Sequence, residues 1–206
     1  MNRSRSSSAW LNEHVNDAYV QKARAAGYRS RASYKLMEID DKDRLIRAGE
    51  VIVDLGAAPG GWSQVAAKRQ QGQGRVLALD LLEMEAVRGV TFLQGDFREA
   101  DVLQQLETML GGEQVGLVLS DMSPNISGIA LCDQARMMHL AELSLEFARH
   151  WLKPDGAFLV KLFQGHGFSD FLQEMRQVFK TVSSRKPDAS RDRSPEVYLL
   201  GKTLKT

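Results

Sequence analysis

The sequence predicts a doubly wound α/β fold: a mostly parallel, seven-stranded sheet with helices on both faces. Three observations predict it. Five short runs are almost continuously apolar, at 51–55 (VIVDL), 75–80 (RVLALD), 90–93 (VTFL), 115–120 (VGLVLS) and 157–163 (AFLVKLF). Strands buried on both faces read this way, and they belong to parallel sheets. Stretches with helical spacing of apolar residues separate most of them, as βαβ units require. The first run ends in a glycine-rich turn, Gly56-Ala57-Ala58-Pro59-Gly60-Gly61, where a nucleotide-binding sheet places its ligand loop.

The elements follow in order. Residues 1–8 (MNRSRSSS) are polar and basic, with no apolar segment behind them that would make a secretory signal. Leu11, Val15, Ala18 and Tyr19 predict a helix over 10–26, and Ser33 is placed to cap a second helix carrying Leu36, Met37 and Ile39. Residues 1–30 are therefore expected to be a basic extension and 31–206 a single domain. Helices are expected over 62–70, 98–110, 131–152 and 168–179, the long one stopped by Lys153-Pro154-Asp155-Gly156. Residues 181–184 and 197–201 supply a final pair of strands.

Composition narrows the class. The 206 residues are 43% hydrophobic and 26% charged, which suits one globular domain. No apolar run approaches the roughly 20 residues of a membrane helix. The lone Cys132 excludes an intramolecular disulfide, and a reducing, cytoplasmic setting is expected. The net charge of +1 hides a basic–acidic–basic order. Residues 1–35 hold seven basic and two acidic side chains, 36–175 hold 12 and 21, and 176–206 hold eight and three. His14, His139, His150 and His166 have no metal-ligand spacing, so no metal is expected.

The chemistry sits at the strand ends. The loop lacks the G-x-G-x-x-G spacing of dinucleotide sites, and Pro59 removes an N–H that a pyrophosphate cradle uses. Asp54, just before the turn, repels phosphate but suits a cationic, amine-bearing ligand, which favours S-adenosylmethionine over a nicotinamide dinucleotide. Asp80 ends the second run, placed to accept from ribose hydroxyls. Asp96 follows the third, placed to accept from an adenine amino group, and Asp121 ends the fourth. Lys161 stands inside an apolar strand, where a lysine is costly unless paired or functional. Glu196 opens the last strand.

These residues carry a resemblance. The loop from Asp54 to Trp62, Gln94-Gly95-Asp96-Phe97, Ser120-Asp121-Met122, Val160-Lys161-Leu162-Phe163-Gln164-Gly165, Arg185-Lys186-Pro187 and Glu196-Val197-Tyr198 closely resemble the FtsJ/RrmJ (RlmE) family. Those proteins are bacterial heat-shock methyltransferases that use S-adenosylmethionine to methylate the ribose 2′-hydroxyl of a uridine in 23S ribosomal RNA. The resemblance spans about residues 10–200 and implies a Rossmann-like methyltransferase domain. It implies a catalytic set of Lys35, Asp121, Lys161 and Glu196, with Lys161 as proton acceptor, and cofactor contacts at Gly60, Trp62, Asp80, Asp96 and Asp121. With Asp54, Gly56 and Pro59 of the loop these make the expected cofactor site. Ser123 and His166 depart from the family pattern, outside the catalytic set. A lysine is ordinarily protonated at neutral pH, so two roles stay open for Lys161: accepting the hydroxyl proton, or orienting the oxygen.

The implied partner is 23S ribosomal RNA in the 50S subunit, with the protein a monomer. Its grip is expected from Arg29, Arg31, Arg185, Lys186, Arg191 and Arg193, since the two basic segments also contain Lys35 and Glu196. Alternatives weighed on the residues are a nicotinamide oxidoreductase, a base methyltransferase, a 2′-O-methyltransferase of another RNA (transfer RNA or an mRNA cap) and a non-catalytic RNA-binding module. The first lacks the glycine spacing. Cytosine chemistry needs a nucleophilic cysteine, and Cys132 lies outside any Pro-Cys pair.

Overall fold

A computed structural model describes residues 17–191 and 194–205. In chain order the elements are α1 (Ala18–Ala25), α2 (Ala32–Asp43), β1 (Val51–Leu55), α3 (Gly61–Gln70), β2 (Arg75–Asp80), β3 (Val90–Gln94), α4 (Ala100–Leu110), β4 (Val115–Ser120), α5 (Ala130–Trp151), β5 (Leu152–Phe163), α6 (Phe168–Val178), β6 (Phe179–Arg185) and β7 (Glu196–Leu204). The seven strands form one sheet in the order β3-β2-β1-β4-β5-β7-β6. β1 to β5 run parallel, and β7 is antiparallel to both of its neighbours. From β1 the chain winds outward to β3 and then crosses to β4 on the other side. The crevice at the carboxyl ends of β1 and β4 is thus a topological switch point, where such sheets bind ligands.

Side-chain alternation divides the core into two layers. Val53, Leu77, Val118, Val160 and Leu199 face α4, α5 and α6. Ile52, Val76, Leu119, Leu159 and Leu200 face Leu36 and Ile39 of α2 and Trp62, Val65 and Ala66 of α3. Every expected strand is present. β5 starts earlier than expected, at Leu152, because that residue pairs with Val115 before a register shift takes the ladder to Leu117 and Ala157.

At the start of the chain, the described part of the expected 10–26 helix is α1; residues 10–16 lie outside the described residues. Asp17 caps α1, accepting from the backbone N–H of Tyr19 and Val20, and Val20 and Ala23 are buried. The expected cap at Ser33 is not formed. Ser33 lies inside the first turn of α2, fully buried, and its hydroxyl donates to the Gly61 carbonyl at 3.1 Å. A side chain at Gly61 would collide with the hydroxyls of Ser30 and Ser33. The serine therefore serves contact between α2 and α3 rather than a helix end.

Candidate active site

Strand alternation positions the reactive groups. On β5, Ala157, Leu159 and Lys161 share the α2/α3 face, and on β7 so do Glu196, Tyr198 and Leu200. Lys161 pairs with Tyr198 across the ladder. Lys35 approaches from α2, held in place by the buried Leu36 and Ile39 beside it. Asp121 extends β4 by one residue, its N–H bonded to the Leu55 carbonyl at 3.0 Å.

Two ion pairs result. Lys35 Nζ donates to both oxygens of Glu196, at 2.6 and 2.8 Å. Lys161 Nζ donates to the Asp121 backbone carbonyl at 2.7 Å and lies 2.9 Å from Asp121 Oδ1. Lys161 is only 8% exposed. Glu196 Oε1 also accepts from Ser190 Oγ at 2.9 Å and from the Tyr198 hydroxyl at 3.2 Å. Burial pushes the Glu196 carboxyl up, but Lys35, Ser190 and Lys161 outweigh it and hold it below the usual range. Burial raises Tyr198 well above an ordinary phenol, and Asp121 and Glu196 raise it further, so it stays a neutral donor.

Lys161 and Asp121 stand at one wall of a cavity of about 630 Å³ whose lining includes Gly56, Ala58, Asp80, Asp96 and Phe97. Gly56 has a positive φ of 78°, and a Cβ there would lie 2.7 Å from the Met122 backbone. Only glycine permits β1 and β4 to close the cavity floor in this way. Asp80 ties the loop to the end of β2: Oδ2 accepts from the Ala58 N–H at 2.9 Å and Oδ1 from the Leu82 N–H at 2.8 Å.

A model of the family described as FtsJ-like methyltransferase matches residues 28–204. The chain belongs to that family. This FtsJ-like methyltransferase is 67% identical over 205 residues to a protein of Dechloromonas aromatica strain RCB, covering 100% of both chains. It is 62% identical to one of Azoarcus sp. strain BH72 over the same full lengths. Both relatives are named ribosomal RNA large subunit methyltransferase E. Among solved structures, a Plasmodium falciparum protein described as a ribosomal RNA methyltransferase superposes with a TM-score of 0.76 at 27% identity. That match covers 86% of this chain and 98% of the other. A Clostridium thermocellum structure described as an rRNA methylase shares the fold, with a TM-score of 0.58 at 16% identity over 82% of this chain and 97% of that one.

Four expected cofactor positions of this methyltransferase line the cavity: Gly56, Asp80, Asp96 and Asp121. Four do not. Asp54 alternates onto the α3 face, fully buried, where Oδ2 accepts from Ser63 Oγ at 2.6 Å. Burial, with Asp121 and Asp80 nearby, moves its carboxyl up to about 7. Trp62 is 2% exposed; its indole donates to the Ala32 carbonyl at 2.8 Å and its ring lies 5.7 Å from that of Tyr198. It is a core residue, packed between α2 and the sheet. Pro59 and Gly60 turn toward Arg29, whose guanidinium donates to the Pro59 carbonyl at 3.1 Å. Asp96 is gripped by its neighbour, Arg98 Nε and NH2 donating to it at 2.9 and 2.5 Å, and Arg98 holds its carboxyl below the usual range.

The expected RNA-binding residues are mostly engaged within the fold. Arg29 also donates to the Glu85 and Ala86 carbonyls, at 2.7 and 2.8 Å. Arg31 pairs with Asp17 and donates to the Ala189 carbonyl. Arg185 makes a two-pronged pair with Asp43, at 2.7 Å on each arm. Lys186 donates to the Ser194 and Glu196 carbonyls, at 2.6 and 2.7 Å. Arg191 Nε lies 3.7 Å from Asp17, and Arg193 lies outside the described residues. These cations brace the 185–196 segment and the glycine loop around the site. Sequence reasoning missed Tyr198 and Ser190. Tyr198 was legible in principle, two residues after Glu196 and so on the same strand face; nothing in the sequence marks Ser190.

Proposed function

We propose that this FtsJ-like methyltransferase uses S-adenosylmethionine to methylate the ribose 2′-hydroxyl of a uridine in 23S ribosomal RNA, with the 50S subunit as substrate. The observation that carries the reading is the Lys161–Asp121 pair at the wall of one acid-lined cavity, with the Lys35–Glu196 pair joined to it through Tyr198, which neighbours Lys161 across the ladder and donates to Glu196. The names borne by the relatives support the RNA. The donor set suits the cofactor. Asp80, Asp96 and Asp121 complement a sulfonium, an ammonium and hydroxyl or amino donors; each Asp80 oxygen accepts one internal hydrogen bond and has a second lone pair to offer, whereas both Asp96 oxygens already accept from Arg98. When bound, S-adenosylmethionine supplies an electrophilic methyl group that needs alignment rather than further activation.

The protein's share is positioning and proton handling. A ribose hydroxyl is a weak nucleophile, so its oxygen must be held in line and relieved of its proton near the transfer. Lys161 Nζ, bonded to the Asp121 carbonyl and paired with its carboxylate, faces the hydroxyl; it orients the oxygen and, unprotonated at the moment of transfer, accepts the hydroxyl proton. Asp121 fixes the ammonium, while Glu196, locked by Lys35, Ser190 and Tyr198, holds a second negative charge close by as the proton leaves. The protein acts as a cytoplasmic monomer in this proposal; among the described residues, no helix is long and apolar enough to cross a membrane.

The test is incubation with methyl-labelled cofactor and either undermethylated 50S subunits or naked 23S rRNA. Label is expected in RNA, with the 50S subunit the better substrate. Transfer to neither RNA overturns the proposal, and better transfer to naked RNA overturns its 50S part.

A further inference from the structure

After Asp121, residues Met122, Ser123, Pro124 and Asn125 continue along the cavity wall. The chain then presents Ile126, Ile129 and Leu131 to solvent, 77%, 61% and 65% exposed. Together with Leu81 and Leu82 they are the large exposed hydrophobics of the described residues. Their backbone is pinned. The Asp133 carboxylate accepts from the Ser127 N–H and hydroxyl at 2.8 and 2.6 Å and from the Gly128 N–H at 3.0 Å. Arg136 NH1 donates to the Asn125 carbonyl at 3.4 Å. Asp133 is itself held by α5, whose Met137, Met138 and Ala141 are buried. A short apolar projection is thus fixed beside the reacting centre, and none of the described residues covers it.

The chemistry of the site says what covers it. Lys161 is 8% exposed at the cavity wall, so a ribose can reach it only if its nucleotide leaves the surrounding stack. RNA is read in this way, through splayed nucleotides whose bases find new stacking partners. A base that leaves a stack loses apolar contact, and apolar wedges at a protein surface replace it. Residues 122–132 carry no charged side chain; on the helix behind, Asp133 is bonded to the turn and Arg136 is cationic and exposed. An acidic fence against phosphate is missing, while Asp133 is consumed in holding the turn.

Building on the function proposed above, we infer that Ile126 and Ile129 form a fixed apolar wedge. It takes the stacking place of an unpaired RNA base adjoining the methylated ribose. The wedge holds the nucleotide out of its helix while the ribose enters the cavity. It makes no contact with cofactor and takes no part in proton transfer.

The test compares wild type, the double variant Ile126→Ala/Ile129→Ala and the double variant Ile126→Leu/Ile129→Leu on undermethylated 50S subunits. The alanine pair is expected to raise KM for subunits about tenfold, leave kcat within about twofold and leave binding of S-adenosylhomocysteine unchanged. The leucine pair is expected to stay near wild type. With wild type, the bases adjoining the methylated ribose change reactivity toward a carbodiimide that modifies exposed base edges; with the alanine pair they do not. An unchanged KM, or a leucine pair as weak as the alanine pair, overturns the wedge. So does a raised KM with the wild-type base reactivity retained, which assigns the loop to a ribosomal protein instead. Failure of the wild type to methylate ribose removes the underlying function, and is seen separately because it precedes every variant.

Discussion

Asp54 is a fully buried carboxylate and Glu196 a half-buried one, and their environments push them in opposite directions. Asp54 has one donor, Ser63, and its Oδ1 has no partner within the protein; desolvation dominates and its pKa rises to about 7. The native state therefore holds a proton that the unfolded chain releases near pH 4. Stability from this group is complete below the unfolded value and is lost as pH rises through about 7. The loss has a ceiling of about 4 kcal/mol, from a shift of about three units. Asp54→Asn is expected to flatten that slope, so that melts at pH 5 and pH 8 differ less in the variant than in wild type. Glu196 is held low, so its contribution is present at neutral pH and is lost as pH falls below the ordinary carboxylate range. At the reacting centre, Lys161→Ala is expected to lower turnover by about 10²–10⁴-fold with S-adenosylhomocysteine affinity retained, checked by single-turnover transfer beside calorimetry. Turnover near wild type would remove Lys161 from the chemistry.

At the scale of elements, the strands were legible because a buried parallel sheet writes unbroken apolar runs, as at Val51-Ile52-Val53 and Leu117-Val118-Leu119. The acids at their ends were legible for the same reason: a carboxylate interrupts such a run only where the strand stops. Asp54 shows the limit. It sits one residue before the end of β1, and period-two alternation turns it sideways into the α3 layer. The arginines were legible as charge, but their partners within the fold were not. A guanidinium that binds phosphate and one that straps backbone carbonyls are the same letter, and only the fold shows that Arg29 bridges the glycine loop to residues 85 and 86. Arg29→Ala is accordingly expected to weaken cofactor binding about tenfold, measured by calorimetry with S-adenosylhomocysteine; unchanged affinity would show that the strap is dispensable. Gly56→Ala is expected to cost roughly 1–3 kcal/mol from the left-handed backbone alone, with the Met122 collision adding to it, and thermal melts would read the loss.

Across the whole molecule, the basic–acidic–basic order of charge becomes spatial. The two basic ends of the chain meet: Arg31 donates to the Ala189 carbonyl, the Ala189 N–H bonds Glu38 at 3.2 Å, and Lys35 locks Glu196. The acidic middle supplies the cavity carboxylates. A site closed by residues from both ends of the sequence ties catalysis to long-range order. Phosphate contacts make RNA affinity fall with salt, whereas burial shields the internal pairs. Subunit binding is therefore expected to weaken steeply between low and moderate salt while cofactor binding changes little; parallel slopes would contradict that division. The most direct test of the site as a whole is nucleoside analysis of the methylated RNA, for wild type and Lys161→Ala side by side. Label in 2′-O-methyluridine, abundant with wild type and nearly absent with the variant, is the expected result. Label on a base, or equal label from both proteins, would contradict the assignment.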